Sequence, residues 1–170
     1  MTPEQKRLVQ RSFEQVAPIA DAAAGLFYGR LFELDPALRP LFKGDLVEQG
    51  RKLMQMIGVV VKGLDRFDEL LPAAQALGQR HTGYGVRDEH YETVGAALLW
   101  TLGEGLGTAF THDVKEAWTA AYGAITSAMK PSAAPQQASS ALPVQVVGAM
   151  HPGLVRSRRK EVALYLERVG

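Results

Sequence analysis

The chain has 170 residues, 46% hydrophobic and 22% charged, with no cysteine and a net charge of +1. That is one domain's worth of chain with a sizeable core. It excludes disulfide scaffolds, thiolate metal sites, iron–sulfur clusters and cysteine nucleophiles, and its net charge does not favour nucleic acid as a partner. Charge divides unevenly: residues 1–130 carry 14 Lys and Arg against 16 Asp and Glu, a net of −2, and residues 131–170 carry 5 against 2, a net of +3.

In chain order, Thr2-Pro3-Glu4-Gln5 reads as a capping box with Pro at the first helical position. Val9, Phe13 and Val16 follow at helical spacing until Pro18 interrupts. A second helix is expected over Ile19 to Leu34, and a short one from Asp35-Pro36 to about Phe42. Asp45 and Glu48 form a second expected capping box, opening a helix to about Gly63 with Leu46, Leu53, Met56, Ile57 and Val60 on its apolar stripe. Asp68 to His81 places Leu70, Ala74, Leu77 and His81 on one face. Asp88 to Gly107 carries Tyr91, Val94, Leu98 and Leu102. Its glycine-rich end, Gly103 to Gly107, reads as a helix stop. Thr111 to Met129 carries Val114, Trp118, Ala121, Ile125 and Met129. Each stripe follows the 3.6-residue period, so the expected class is all-α with about seven helices.

The remainder divides into a Pro/Ala/Ser-rich linker, 131–143, and a basic tail, 144–170. The tail reads as a weakly ordered extension or as a short amphipathic helix. The latter would dock on a partner, on an anionic membrane surface, or on the body itself. No apolar run approaches the roughly 18 residues that span a bilayer, and the N-terminus lacks a signal-peptide stretch. A cytoplasmic location is the expectation.

No nucleophile elbow, phosphate-cradling glycine loop or H-E-x-x-H motif is present. His81 is the unusual residue. A lone histidine on an apolar face is ordinarily a satisfied core residue. Here, however, the helix from Leu46 puts Gln49, Leu53 and Met56 on one face, and the second helix offers Tyr28 among large apolar neighbours. One imidazole, one phenol and one amide among apolar side chains suit a large apolar cofactor with one axial ligand and two distal donors. His90 and His112, beside charged residues, read as solvated. Trp100 and Trp118 read as core, and Met54 as packing.

The runs LFYGRLFELDPALRPLF, EQGRKLMQMIGVVVKGLD, LGQRHTGYGV, HYETVG and AFTHDVKEAWTAAYGAI, in that order, resemble a globin. The likeness is closest to the single-domain bacterial globins related to flavohaemoglobin, Vitreoscilla haemoglobin and neuroglobin, and covers about residues 4–129. It implies a three-over-three helical sandwich holding haem b. It also implies His81 as the proximal iron ligand, Tyr28 and Gln49 as distal donors with Leu53 beside them, and Phe42 as the wedge against the macrocycle. Leu77, Tyr84 and Val86 would pack on the proximal side, with a carbonyl near Leu77 taking the second ring N–H of His81. Lys52 and Arg51, near the distal mouth, read either as partners of a haem propionate or as a solvated face.

Gln49 departs from the distal histidine of neuroglobin, so an open, five-coordinate ferrous iron is expected. The family's proximal Tyr–Glu pair is matched at Tyr91, but its Glu would fall near Ala133, where none stands. The resemblance implies reversible binding of O2, and of CO and NO, for oxygen binding or transport. NO dioxygenation served by an external reductase, and gas sensing, stay open as alternatives.

Overall fold

A computed structural model of the chain describes residues 1–130. The linker and tail expected at 131–170, with Ala133, lie outside the described residues. Six α-helices account for most of the body: α1 (Pro3–Val16), α2 (Ala20–Leu34), α3 (Leu46–Gly63), α4 (Phe67–Gly83), α5 (Asp88–Leu106) and α6 (His112–Met129). The short helix expected from Asp35 is a 3-10 segment, Pro36–Leu41. Three further 3-10 turns join the helices, and there is no strand among the described residues.

The helix starts follow local chemistry. Thr2 and Gln5 close a reciprocal capping box on α1 (3.1 and 2.9 Å). Asp45 caps α3 through the Val47 N–H at 2.8 Å. The expected partner Glu48 does not complete a box; its carboxylate lies 3.5 Å from the Lys52 ammonium, one turn on. α5 runs through Gly103 and Gly105 and stops only at Gly107, whose φ is +53°, a conformation that side-chain-bearing residues seldom adopt.

The helices stack in two layers, with α1, α3 and α4 over α2, α5 and α6. The principal contacts pair α2 with α5 and α3, and α6 with α1 and α4. The main core joins Val9, Val16, Leu64, Leu102, Ala117 and Trp118. A buried long-range polar link joins α1 and α6: the Trp118 Nε1–H donates to Ser12 Oγ at 2.8 Å, and the Ser12 hydroxyl donates in turn to the Leu8 carbonyl. Ser12 is 3% exposed. Removing its hydroxyl leaves a buried indole N–H without a partner, so Ser12→Ala is expected to destabilise the fold by about 1–3 kcal/mol. Denaturant melts of the two proteins check this.

Helix crossings among the described residues need glycine, as at Gly50 and Gly78. A Cβ at Gly50 would lie 2.6 Å from the Ala24 Cβ, where α3 crosses α2. A Cβ at Gly78 would overlap the carbonyl of Met129, where α4 crosses the last turn of α6. No helix among the described residues is long and apolar enough to cross a membrane.

Candidate functional site

The buried apolar residues beside α3 and α4 form two separate groups. Phe27, Tyr28, Leu31, Leu38 and Ala97 make one, with Phe42, Leu46, Leu53 and Val94 packed on it. Ala74, Leu77 and Met129 make the other, with Met56, Tyr91 and Ile125. α3 and α5 contribute to both groups. Phe42, Leu46, Leu53, Met56, Val86 and Val94 are apolar yet only half-buried. Apolar surface left partly in water is unfavourable by about 25 cal/mol per Å², and a flat apolar body between the two groups would cover it.

His81 stands on the second group's side. Its position follows from α4: Leu77, one turn earlier, is buried, and the same helical face carries both side chains. The His81 Nδ1–H donates to the Leu77 carbonyl at 3.0 Å, as the sequence leads one to expect. A carbonyl can only accept, so this bond fixes the tautomer and leaves Nε2 with its lone pair. Nε2 has no hydrogen bond among the described residues. Burial pushes the His81 pKa below its usual value, with the Leu77 hydrogen bond opposing. The ring is therefore neutral at neutral pH, which is the form that ligates a metal.

Beyond His81 the chain folds back on itself. The N–H groups of Tyr84 and Val86 both donate to the His81 carbonyl (3.1 and 2.9 Å), and the turn needs Gly85 at φ +84°. Val86 is half-buried. The Tyr84 side chain is 59% exposed and belongs to neither apolar group. The Tyr91 ring lies nearly parallel to the imidazole, at 17° and 6.4 Å between centroids.

On the other side, Tyr28 is 6% exposed. Phe27 and Phe42 meet its ring edge-on at 5.1 and 5.4 Å, and Phe32 stacks at 6.0 Å. These contacts fix the ring, yet its hydroxyl has no hydrogen-bond partner among the described residues. Burial pushes its pKa up to about 12, so the group remains a protonated donor. A Cβ on Gly50 would lie 3.9 Å from Tyr28 Cε2. The turn of α3 carrying Gln49 and Leu53 thus abuts Tyr28, although no hydrogen bond links Gln49 to Tyr28. Lys52 is held by Glu48 and Arg51 lies 3.6 Å from Asp21.

Two further sequence expectations change. His90 is 7% exposed rather than solvated: its Nδ1 accepts the Arg87 backbone N–H at 3.0 Å, and this fold-back shelters the ring. Trp100 is 37% exposed rather than core, with the Arg30 guanidinium over its ring at 5.3 Å. Two residues that sequence reasoning missed also act here. The Tyr122 hydroxyl donates to the Tyr91 carbonyl at 2.6 Å, and Lys130 Nζ lies 5.6 Å from the Tyr91 ring centroid. Tyr122 follows Ala121 on the α6 stripe, which was its only signal.

The donor set fits haem: one neutral imidazole with a free Nε2, flanked by incompletely covered apolar side chains, and a buried donor on the opposite side. Among the described residues no group of three or more His, Asp or Glu is placed to hold a metal ion unaided, so an iron here would depend on a macrocycle. The comparisons agree. A family model described as Globin matches residues 25–129. A flavohemoprotein of Vibrio cholerae serotype O1 is 33% identical over 125 residues, covering 72% of this chain and 32% of that protein. Flavohemoproteins of Bordetella parapertussis and Rhodopirellula baltica are 32% and 31% identical over 126 and 120 residues. These alignments cover 72% and 69% of this chain, and 31% and 29% of those proteins. The chain thus matches about a third of the length of these relatives.

Proposed function

The chain belongs to the globin family, whose cofactor is haem, and on that footing we propose that it binds O2 reversibly, with high affinity, at an open five-coordinate ferrous haem in the cytoplasm. The haem supplies an iron that takes up diatomic gases. His81 holds that iron through Nε2, with its other nitrogen committed to Leu77. Leu77 and Val86 would cover the proximal side and Phe42 and Leu53 the distal side, and Lys52, which meets Glu48 in this structure, would be the residue to pair with a propionate. Tyr28 and Gln49 offer hydrogen bonds to a polarised ligand such as O2. CO is less polarised and gains less from the same donors.

The observation that carries this reading is the Tyr28 hydroxyl, protonated, carried on a buried ring and without an acceptor of its own among the described residues. The hydroxyl keeps some accessible surface although its ring is buried, so it is free to donate to an accepting ligand in the site. An amide is a poor iron ligand, so Gln49 leaves the sixth position open.

NO dioxygenation is the second reading, favoured by the flavohemoprotein relatives. It requires an electron for each turnover, from a reductase outside the described residues. The experiment is stopped-flow on haem-reconstituted protein. Slow O2 release, with NO consumed once per haem and not beyond that when a flavin reductase and NADH are present, supports binding. Sustained NO consumption under those conditions replaces it with the enzyme reading. Fast O2 release removes the high-affinity claim.

A further inference from the structure

We propose that the segment 154–169 of this chain docks on the outer face of α2 and α5, where its apolar residues cover an exposed stripe and its basic residues meet the surrounding acids. The segment lies outside the described residues; the face it would cover lies within them. The inference does not depend on the haem reading.

The face is apolar along its centre. Ile19, Leu26, Leu34 and Trp100 are all exposed, and they lie in a row. Leu26, Arg30 and Leu34 stand at four-residue steps on α2 and so share one side of it. The Arg30 guanidinium rests over the Trp100 ring of α5 at 5.3 Å. At one end Ile19 reaches α5, since a Cβ at Gly105 would lie 3.6 Å from Ile19 Cδ1. Contiguous exposed apolar surface, unlike scattered residues, marks a contact site.

Charge identifies the occupant. α2 and α5 together hold one arginine, Arg30, against Asp21, Glu33, Asp88, Glu89, Glu92 and Glu104, a net of −5, although residues 1–130 as a whole carry only −2. Arg30 is already engaged by Glu33 at 3.1 Å. A second copy would set this acidic face against its own like charge, and an anionic membrane would be repelled by it. Residues 131–170 carry +3. Within them Arg156, Arg158, Arg159 and Lys160 stand between Leu154 and Val155 on one side and Val162, Leu164 and Leu166 on the other. Apolar groups flanking a cationic run match an apolar stripe edged with acids.

The path of the chain allows the contact. Lys130 Nζ lies 4.0 Å from Asp88, so the described residues end beside the first turn of α5. From Asp88 to Trp100 the helix rises about 18 Å, and a chain as long as 131–153 spans several times that distance when extended. Attachment to the same chain supplies an effective concentration on the order of millimolar, which a separate molecule in dilute solution does not match.

The test uses the full chain, whose lack of cysteine lets an introduced pair report alone. Ser157→Cys is combined with Ala96→Cys on α5 or with Gln75→Cys on α4, and each pair is bridged with a short bis-maleimide. Ala96 and Gln75 are both exposed. Gln75 lies within a turn of Gly78, on which the Met129 carbonyl rests, so reach alone does not favour Ala96. The bridge to position 96 is expected to form within one chain, roughly tenfold faster than the bridge to position 75. Glu89→Lys with Glu92→Lys should remove that preference while leaving the circular dichroism unchanged. Equal rates for the two pairs overturn the proposal, and so does a preference that survives the charge reversal. Bridges that join two chains instead assign the face to a second copy. Loss of the bridge on adding phosphatidylglycerol vesicles, with the protein floating with them, assigns the segment to a lipid surface and likewise overturns it.

Discussion

Replacing Tyr28 with phenylalanine is expected to raise the O2 dissociation rate roughly ten- to a hundredfold. The figure follows from the loss of one hydrogen bond to a polarised acceptor, worth about 1.5–3 kcal/mol, with each factor of ten costing about 1.4 kcal/mol. The substitution is well controlled. Phe27, Phe32 and Phe42 pack against the ring of Tyr28, and that ring is retained in phenylalanine. The hydroxyl has no partner among the described residues, so its removal breaks no bond of the resting protein. CO dissociation should move much less, because CO is the weaker acceptor. A matching rise for both gases would point to a widened pocket. An O2 rate equal to wild type would remove Tyr28 from the donor role and leave it to Gln49.

The second large effect is on haem retention. His81→Gly is expected to abolish the iron–histidine stretch and weaken haem binding by orders of magnitude in a Soret titration. Added imidazole should restore the spectrum by entering the vacated space. Glycine near the end of α4 costs about 1 kcal/mol of helix propensity, and the two groups of apolar residues do not depend on the imidazole, so helical content measured by circular dichroism should persist. A variant that keeps both its Soret band and its iron–histidine stretch would show that the iron is held elsewhere. His112 is exposed, and His90 already accepts the Arg87 N–H. Neither offers a free, sheltered nitrogen among the described residues.

The sequence made some features plain and hid others for identifiable reasons. Helix periodicity and the Thr2–Gln5 box are local, and both survive into the structure. The Leu77 carbonyl as partner of His81 is also local, since i and i−4 meet on any helix. The Arg87–His90 contact is equally local, three residues apart, but its charged neighbours Asp88 and Glu89 made His90 read as solvated. Trp100 lies on a periodic helix but is left partly open, with the Arg30 side chain of α2 over its ring, and periodicity does not say which face will be incompletely covered. Lys130 and Tyr122 reach Tyr91 only because α6 returns beside α5, a meeting of residues 31 and 39 positions apart in the chain. Glycine crossings are of the same kind. Nothing near Gly78 in sequence announces that Met129 will press against it.

That last contact has a mechanical consequence. Gly78 sits one helical turn before His81, and the Met129 carbonyl rests on it with no side chain between them to yield. The last turn of α6 therefore bears directly, backbone on backbone, on α4. A push on the end of α6 reaches the α4 backbone one turn before His81 without first meeting a side chain that could yield.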